Sequence, residues 1–219
     1  MYTADSYKLT TFFKRHGTFD FRRFRPRHPT SSVAYKGSPL APLLAPGPFP
    51  PDAAQRRARD LAELRRNDPN VHYLQCRDEA TGDMVAFCKY LVVQNSDDAV
   101  TPAPLPPPQP GWNEEATLMF RACLEKRKKE ILGNRPHVYL NMLHTNPNHQ
   151  GRGAGGLLLN SCIKRADELR LPIYLESSAA GHRFYQNRGF KDVEVCPVDF
   201  RPFGGPLHEQ PLMLYEPST

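Results

Sequence analysis

The sequence predicts a mixed α/β fold. Val138–Leu159 reads as a strand, a glycine-rich loop and the start of a helix. Pro172–Val195 reads as a strand, a helix and a further strand. Val71–Gln75 and Met84–Val93 read as antiparallel strands, joined through the turn residues of Asp78–Asp83. Strands and helices thus alternate through the second half of the chain, with a hairpin before them.

In chain order, Met1–Pro29 is basic. Lys8, Lys14, Arg15, Arg22, Arg23, Arg25 and Arg27 face only Asp5 and Asp20. A disordered arm is the expected form, with an organellar leader as the alternative. Phe19, Phe21 and Phe24 are candidates for a short first strand. Thr30–Pro51 reads as loop because of its prolines. Residues 1–51 are therefore taken together as a basic, Pro-rich, poorly ordered or rebuilt region, and 52–217 as a single domain. Asp52–Arg66 is predicted helical, with Ala54, Ala58, Leu61 and Leu64 on one side and most of its arginines elsewhere. Residues 94–111 carry a run of prolines that favours polyproline II and forbids a packed strand. Asn113 is placed to cap a helix running to Leu132, which Gly133–Asn134 ends. Its acidic residues come early and its basic residues late, as the helix dipole favours.

In the central stretch, Val138, Leu140 and Met142 alternate with Tyr139, Asn141 and Leu143, the period of a strand. Asn146–Asn148 is loop, Gln150–Gly156 holds four glycines in seven positions, and the helical pattern resumes at Leu157. A glycine loop that opens a helix can bring backbone N–H groups close to an anion. Two anion-binding patterns fit these letters. One is Gly151-x-Gly153-x-x-Gly156, a dinucleotide fingerprint with Glu176 at ribose-ligand distance. The other is Gln150-x-x-Gly153-x-Gly155. Context separates them: Pro147 interrupts the direct strand-to-helix turn of a dinucleotide loop, and too little chain follows Glu176 for further strand–helix units. Beyond that loop, Ile173–Leu175 is a short strand, Ser177 or Ser178 can cap the next helix, and Gly189 suits a left-handed cap before Phe190. Pro197, Pro202 and Pro206 mark a loop. Leu212–Tyr215 reads as a last strand able to pair with Phe190–Val195. Trp112 is expected in core or loop packing.

Gln150-x-x-Gly153-x-Gly155, followed by Phe184-Tyr185-x-x-x-Gly189-Phe190, resembles the GNAT superfamily of acyl-CoA N-acyltransferases, in particular fungal-type members. The resemblance covers 138–195 most strongly. It implies a central mixed, largely antiparallel sheet with a splayed parallel strand pair, flanked by helices. It also implies acetyl-CoA as donor and an amine as acceptor. Leu143, His144 and Thr145 would meet the pantetheine arm through their backbone. Gln150, Gly151, Arg152, Gly153, Ala154 and Gly155 would hold the pyrophosphate. Tyr185 would lie near the cofactor sulfur and protonate the leaving thiolate. Glu176 or His144 would take the amine proton, directly or through water. The expected reaction is direct attack in a ternary complex on a small-molecule amine. The alternatives are a catalytically inactive acyl-CoA-binding domain and an NAD-dependent oxidoreductase.

Composition narrows the partners. A net charge of +6 suits an anionic ligand, and the basic residues form no nucleic-acid motif. Hydrophobic content of 39% with 23 prolines fits a folded domain plus irregular segments. The five cysteines are scattered, without metal-ligand spacing, and no run is long and apolar enough for a membrane. The histidines His137, His144 and His149 lack the spacing of a zinc site. No metal, nucleic acid or membrane is expected. Reduced thiols point to the cytoplasm, with the nucleus as an alternative, and a homodimer stays open.

Overall fold

The computed structural model describes residues 7–11, 38–94 and 110–217. The first-strand candidates Phe19, Phe21 and Phe24 lie outside them, as does nearly all of the proline run 94–111. Seven strands join one sheet in the order β1-β2-β3-β4-β5-β7-β6. They are β1 (Tyr7–Thr11), β2 (Val71–Asp78), β3 (Met84–Val93), β4 (His137–Thr145), β5 (Ile173–Glu176), β6 (Lys191–Asp199) and β7 (Leu207–Tyr215). The helices are α1 (Ala41–Leu44), α2 (Ala53–Asn67), α3 (Glu114–Leu132), α4 (Ala154–Leu169) and α5 (Ala179–Gln186). Pairing is parallel at β4–β5 and antiparallel at β1–β2, β2–β3, β5–β7 and β7–β6. This is the mixed, mostly antiparallel sheet that the resemblance implies.

Two compact units interleave along the chain. The first comprises Met1–Gly37, Pro51–Val92 and Leu140–Glu168. In it, β2 and β3 form the expected hairpin. Asp78 closes the turn by accepting from the N–H groups of Ala80 and Thr81, at 2.9 and 3.2 Å. Gly82 follows at φ 70, a left-handed conformation that glycine adopts without steric cost. Leu61 and Leu64 of α2 pack against Val71, Tyr73 and Phe87. The Tyr73 hydroxyl donates to the Leu61 carbonyl at 2.9 Å, so a buried phenol is satisfied by the helix that covers it. The N-terminal region contains β1, paired to β2 from Tyr7↔Asp78 to Thr11↔Leu74. Sequence periodicity does not mark that strand, because its five residues are mostly polar or charged.

The second unit comprises Ser38–Pro50, Val93–Tyr139 and Leu169–Thr219. Its core joins Ala116 and Leu132 of α3 to Tyr174, Cys196, Val198, Phe200 and Leu212. Leu40, Leu43 and Leu44 pack against it, so part of the proline-rich stretch is helical: Pro42 lies in the first turn of α1, where its missing N–H costs nothing. Asn113 caps α3 as expected, its side chain accepting from the Ala116 N–H at 3.1 Å. Ser178 caps α5 through the Gly181 N–H.

Two expectations change. Pro197 lies inside β6, opposite Glu209, instead of starting a loop. β6 is the outermost strand, where a missing donor is tolerated. β7 correspondingly begins at Leu207, five residues before the apolar run of Leu212–Tyr215. Trp112, 42% exposed, sits in the turn before α3, the loop rather than the core of its two expected placements. All five cysteines are free thiols, and the sulfurs of Cys123 and Cys196, far apart in sequence, lie 3.4 Å from each other.

The Asn113 cap gives a first test. Ala116 is fully buried, so Asn113→Ala leaves its N–H without the cap and without water. The substitution is expected to cost about 1 kcal/mol, read as a lower denaturant midpoint with unchanged slope.

Candidate active site

In the first unit, the candidate residues follow the end of β4. Asn146 leaves the strand with its N–H bonded to the Val85 carbonyl at 2.8 Å, and its side chain accepts from the Asn148 N–H at 3.0 Å. A 3-10 turn, Pro147–His149, follows. Gln150 is exposed and donates from Nε2 to the Thr145 carbonyl at 3.4 Å, tying the loop to the strand end. Gly151 and Gly153 have φ of 72 and 92, the left-handed region where other residues are strained.

α4 begins at Ala154, three residues earlier than the apolar periodicity indicates. The reason is local: glycines and alanine carry no amphipathic signal, yet the Gly153 carbonyl already accepts from the Leu157 N–H at 3.0 Å. Ala154, Gly155 and Gly156 therefore form the first turn, whose N–H groups have no intrahelical acceptor by helix geometry. The sixteen residues of α4 put partial positive charge at that end. Leu158, Leu159, Cys162 and Ala166 are buried and hold the helix in place.

Leu143 and Thr145 are half-buried on β4, with His144 buried between them. Burial, and secondarily the Arg57 guanidinium, push the His144 imidazole down to about 4. His144 is thus neutral at physiological pH and a weak proton acceptor. Arg152 is half-buried beside the glycines.

In the second unit, β5 presents Glu176 at its C-terminal end. Ile173, Tyr174 and Leu175 are buried, and the strand is paired on both edges, to β4 and to β7. Glu176 follows this apolar run into a poorly solvated position. Burial pushes its carboxyl up to about 7, against the lowering effect of the Tyr139 hydroxyl and the Lys128 ammonium. Tyr139 donates to Glu176 Oε2 at 2.8 Å. Tyr185, on α5, is half-buried, with its ring edge-on to Phe184 at 5.3 Å and to Phe190 at 5.6 Å. Gly181, one turn earlier, makes room for that ring: a Cβ there would lie 3.1 Å from Tyr185 Cε2. Gly189, at φ 85, turns the chain from α5 to Phe190.

His144 with Gln150–Gly155 thus falls in the first unit, and Glu176 with Tyr185 in the second. Sequence reasoning did not single out Tyr139, Lys128 or Gly181. Strand parity offered a signal for Tyr139, whose side chain alternates with the apolar set of β4. Among the described residues, no group of three His, Cys, Asp or Glu side chains could hold a metal ion, and no helix is long and apolar enough to cross a membrane.

Residues 40–190 match the family model described as acetyltransferase (GNAT) family. The chain belongs to this family. The GNAT match spans both the glycine loop and the Phe184–Phe190 motif, and it sets aside the dinucleotide reading of the same glycines. A curated relative, an uncharacterized N-acetyltransferase of Schizosaccharomyces pombe, is 29% identical over 81 residues, which are 37% of this chain and 34% of the relative. The chain thus matches about a third of that relative's length. Solved structures share the fold. A Corynebacterium glutamicum structure described as histone acetyltransferase HPA2 and related acetyltransferase superposes with a TM-score of 0.58 at 20% identity, over 98% of each chain. A mosquito arylalkylamine N-acetyltransferase like 5b superposes with a TM-score of 0.63 at 12% identity, over 96% of this chain and 100% of that one.

The Glu176 environment predicts a pH-dependent stability. The native carboxyl keeps its proton up to about pH 7, whereas the unfolded one releases it near 4.5. Between these values the native state binds more protons, so this group's contribution falls as pH rises through the window. Glu176→Gln, which cannot ionise, is expected to be more stable than the parent by up to about 3 kcal/mol at alkaline pH, with the difference vanishing in acid below the unfolded-state value. Denaturation of both proteins across pH measures it.

Proposed function

We propose that the chain transfers an acetyl group from acetyl-CoA to an amine of a small molecule, by direct attack within a ternary complex. The observation that carries the donor assignment is the loop Gln150–Gly155 at the start of α4. Two left-handed glycines lead into a helix whose first N–H groups and dipole favour an anion, here the pyrophosphate of coenzyme A. The family match supports the class of chemistry.

An ammonium cation is not a nucleophile, so the amine must lose a proton. Glu176 is the favoured acceptor, because a carboxyl held up to about 7 exchanges protons near neutral pH. His144, pushed down to about 4, has less driving force for the same task. The amine then attacks the thioester carbonyl, backbone N–H groups near Leu143–Thr145 stabilise the oxyanion, and the carbon–sulfur bond breaks as Tyr185 protonates the leaving thiolate. Holding both substrates in place is worth roughly 7–11 kcal/mol in favourable cases, so positioning supplies much of the rate. A small acceptor and a cytoplasmic location belong to this reading.

Thermal denaturation with acetyl-CoA, free coenzyme A and NAD tests the donor. At 100 times its dissociation constant a ligand stabilises by about 2.7 kcal/mol, a shift of roughly 5–10 °C for this size. Both coenzyme A species are expected to give that shift and NAD none; a shift with NAD alone would overturn the assignment. Turnover is followed as thiol release from acetyl-CoA with tyramine, spermidine, glucosamine and lysine as acceptors. Tyr185→Phe is expected to keep coenzyme A affinity and lose at least tenfold in turnover, in line with the 10²–10⁴-fold typical of general acid–base groups. Unchanged turnover would remove Tyr185 from the acid role.

A further inference from the structure

Strand parity gathers a set of interacting groups around Glu176 within the second unit. β4 and β5 pair in parallel at Tyr139↔Tyr174, and side chains two residues apart on a strand share a face. Tyr139, Tyr174 and Glu176 therefore point the same way. The Tyr139 hydroxyl donates to Glu176 Oε2 at 2.8 Å. Above the Tyr139 ring, the Lys128 ammonium of α3 lies 4.4 Å from the centroid, and it also donates to Glu125 Oε2 at 2.7 Å. Glu125, Lys128, Tyr139 and Glu176 thus form a continuous polar chain running from the helix to the strand end.

We propose that Tyr139 is a positioning residue for Glu176. Its hydroxyl holds the carboxyl through Oε2 in the orientation that takes the amine proton, while Lys128 over the ring makes the phenol a stronger donor. This rests on Glu176 being the base. A phenol donates well to a carboxylate and poorly to a protonated carboxyl, so the contact favours the charged form, and the cation above the ring acts in the same direction. Burial acts against both, and the balance leaves the carboxyl near neutrality. Three further groups face Glu176. Tyr174, on its own strand, is a phenol raised well above its ordinary range by burial and then by Glu176 itself. Glu125, on α3, opposes ionisation. β7 places the apolar Leu212 opposite it.

The test reads Glu176 directly and needs no acceptor. The full-length protein is labelled with glutamate carrying ¹³C at the carboxyl, and the resonance missing from Glu176→Gln is followed against pH. Tyr139→Phe keeps the ring under Lys128 and removes only the donor. Its midpoint is expected to rise by roughly one pH unit, the size of one charge-assisted hydrogen bond, and Lys128→Met is expected to move it the same way by less. The acidic limb of turnover against pH, measured by thiol release with the best acceptor of the amine panel, is expected to rise with it at unchanged KM for acetyl-CoA. A Tyr139→Phe midpoint equal to or below that of the parent overturns the proposal, even if Glu176→Gln is inactive. Full turnover by Glu176→Gln overturns the base reading instead, whatever the midpoints do.

Discussion

The second unit depends on how deeply β5 is buried. Four residues long, the strand is paired on both edges, and its first three side chains are buried. A strand in that position leaves little solvent to stabilise a charge, so a carboxylate at its end is ionised largely as far as its neighbours allow. Tyr139 and Lys128 supply that compensation from two different elements, β4 and α3. The packing that holds α3 on the sheet, Ala116 and Leu132 against Tyr174 and Leu212, therefore also keeps Lys128 in place to favour the charged form of Glu176.

The first unit works with a different resource. Its loop uses few charged side chains and relies on backbone groups that a helix start leaves uncommitted. Left-handed glycines expose those groups, and the buried face of α4 aims them. Fixed dipoles of this kind need no reorganisation when an anion arrives.

Much of this was legible in the sequence because it rests on local rules. Asn113, Ser178, Gly133 and Gly189 mark helix ends by their own chemistry, and the hairpin turn at Asp78–Asp83 announces itself by its residue types. What escaped were features with no periodic or local signature. The start of α4 is hidden because Ala154, Gly155 and Gly156 look the same to a hydrophobic pattern whether helical or not. β1 has too few apolar residues to alternate. Pro197 argues against a strand unless its place at the sheet edge is known. Glu176 could be named a candidate from its motif. Its proton affinity could not be read in advance, since it depends first on burial in the folded sheet, then on Tyr139 and on Lys128, forty-eight positions earlier in the chain.

Pro197 also bears on how the protein meets its own copies. Among the described residues β6 is the last strand of the sheet, and such a strand would otherwise offer a ladder of unpaired backbone groups to any passing strand. One rung of that ladder has no hydrogen to give, and Lys191, Asp192 and Glu194 bring charge to the same strand. The sheet therefore carries its own stop at this end, and growth by adding a neighbour's strand along β6 is interrupted there.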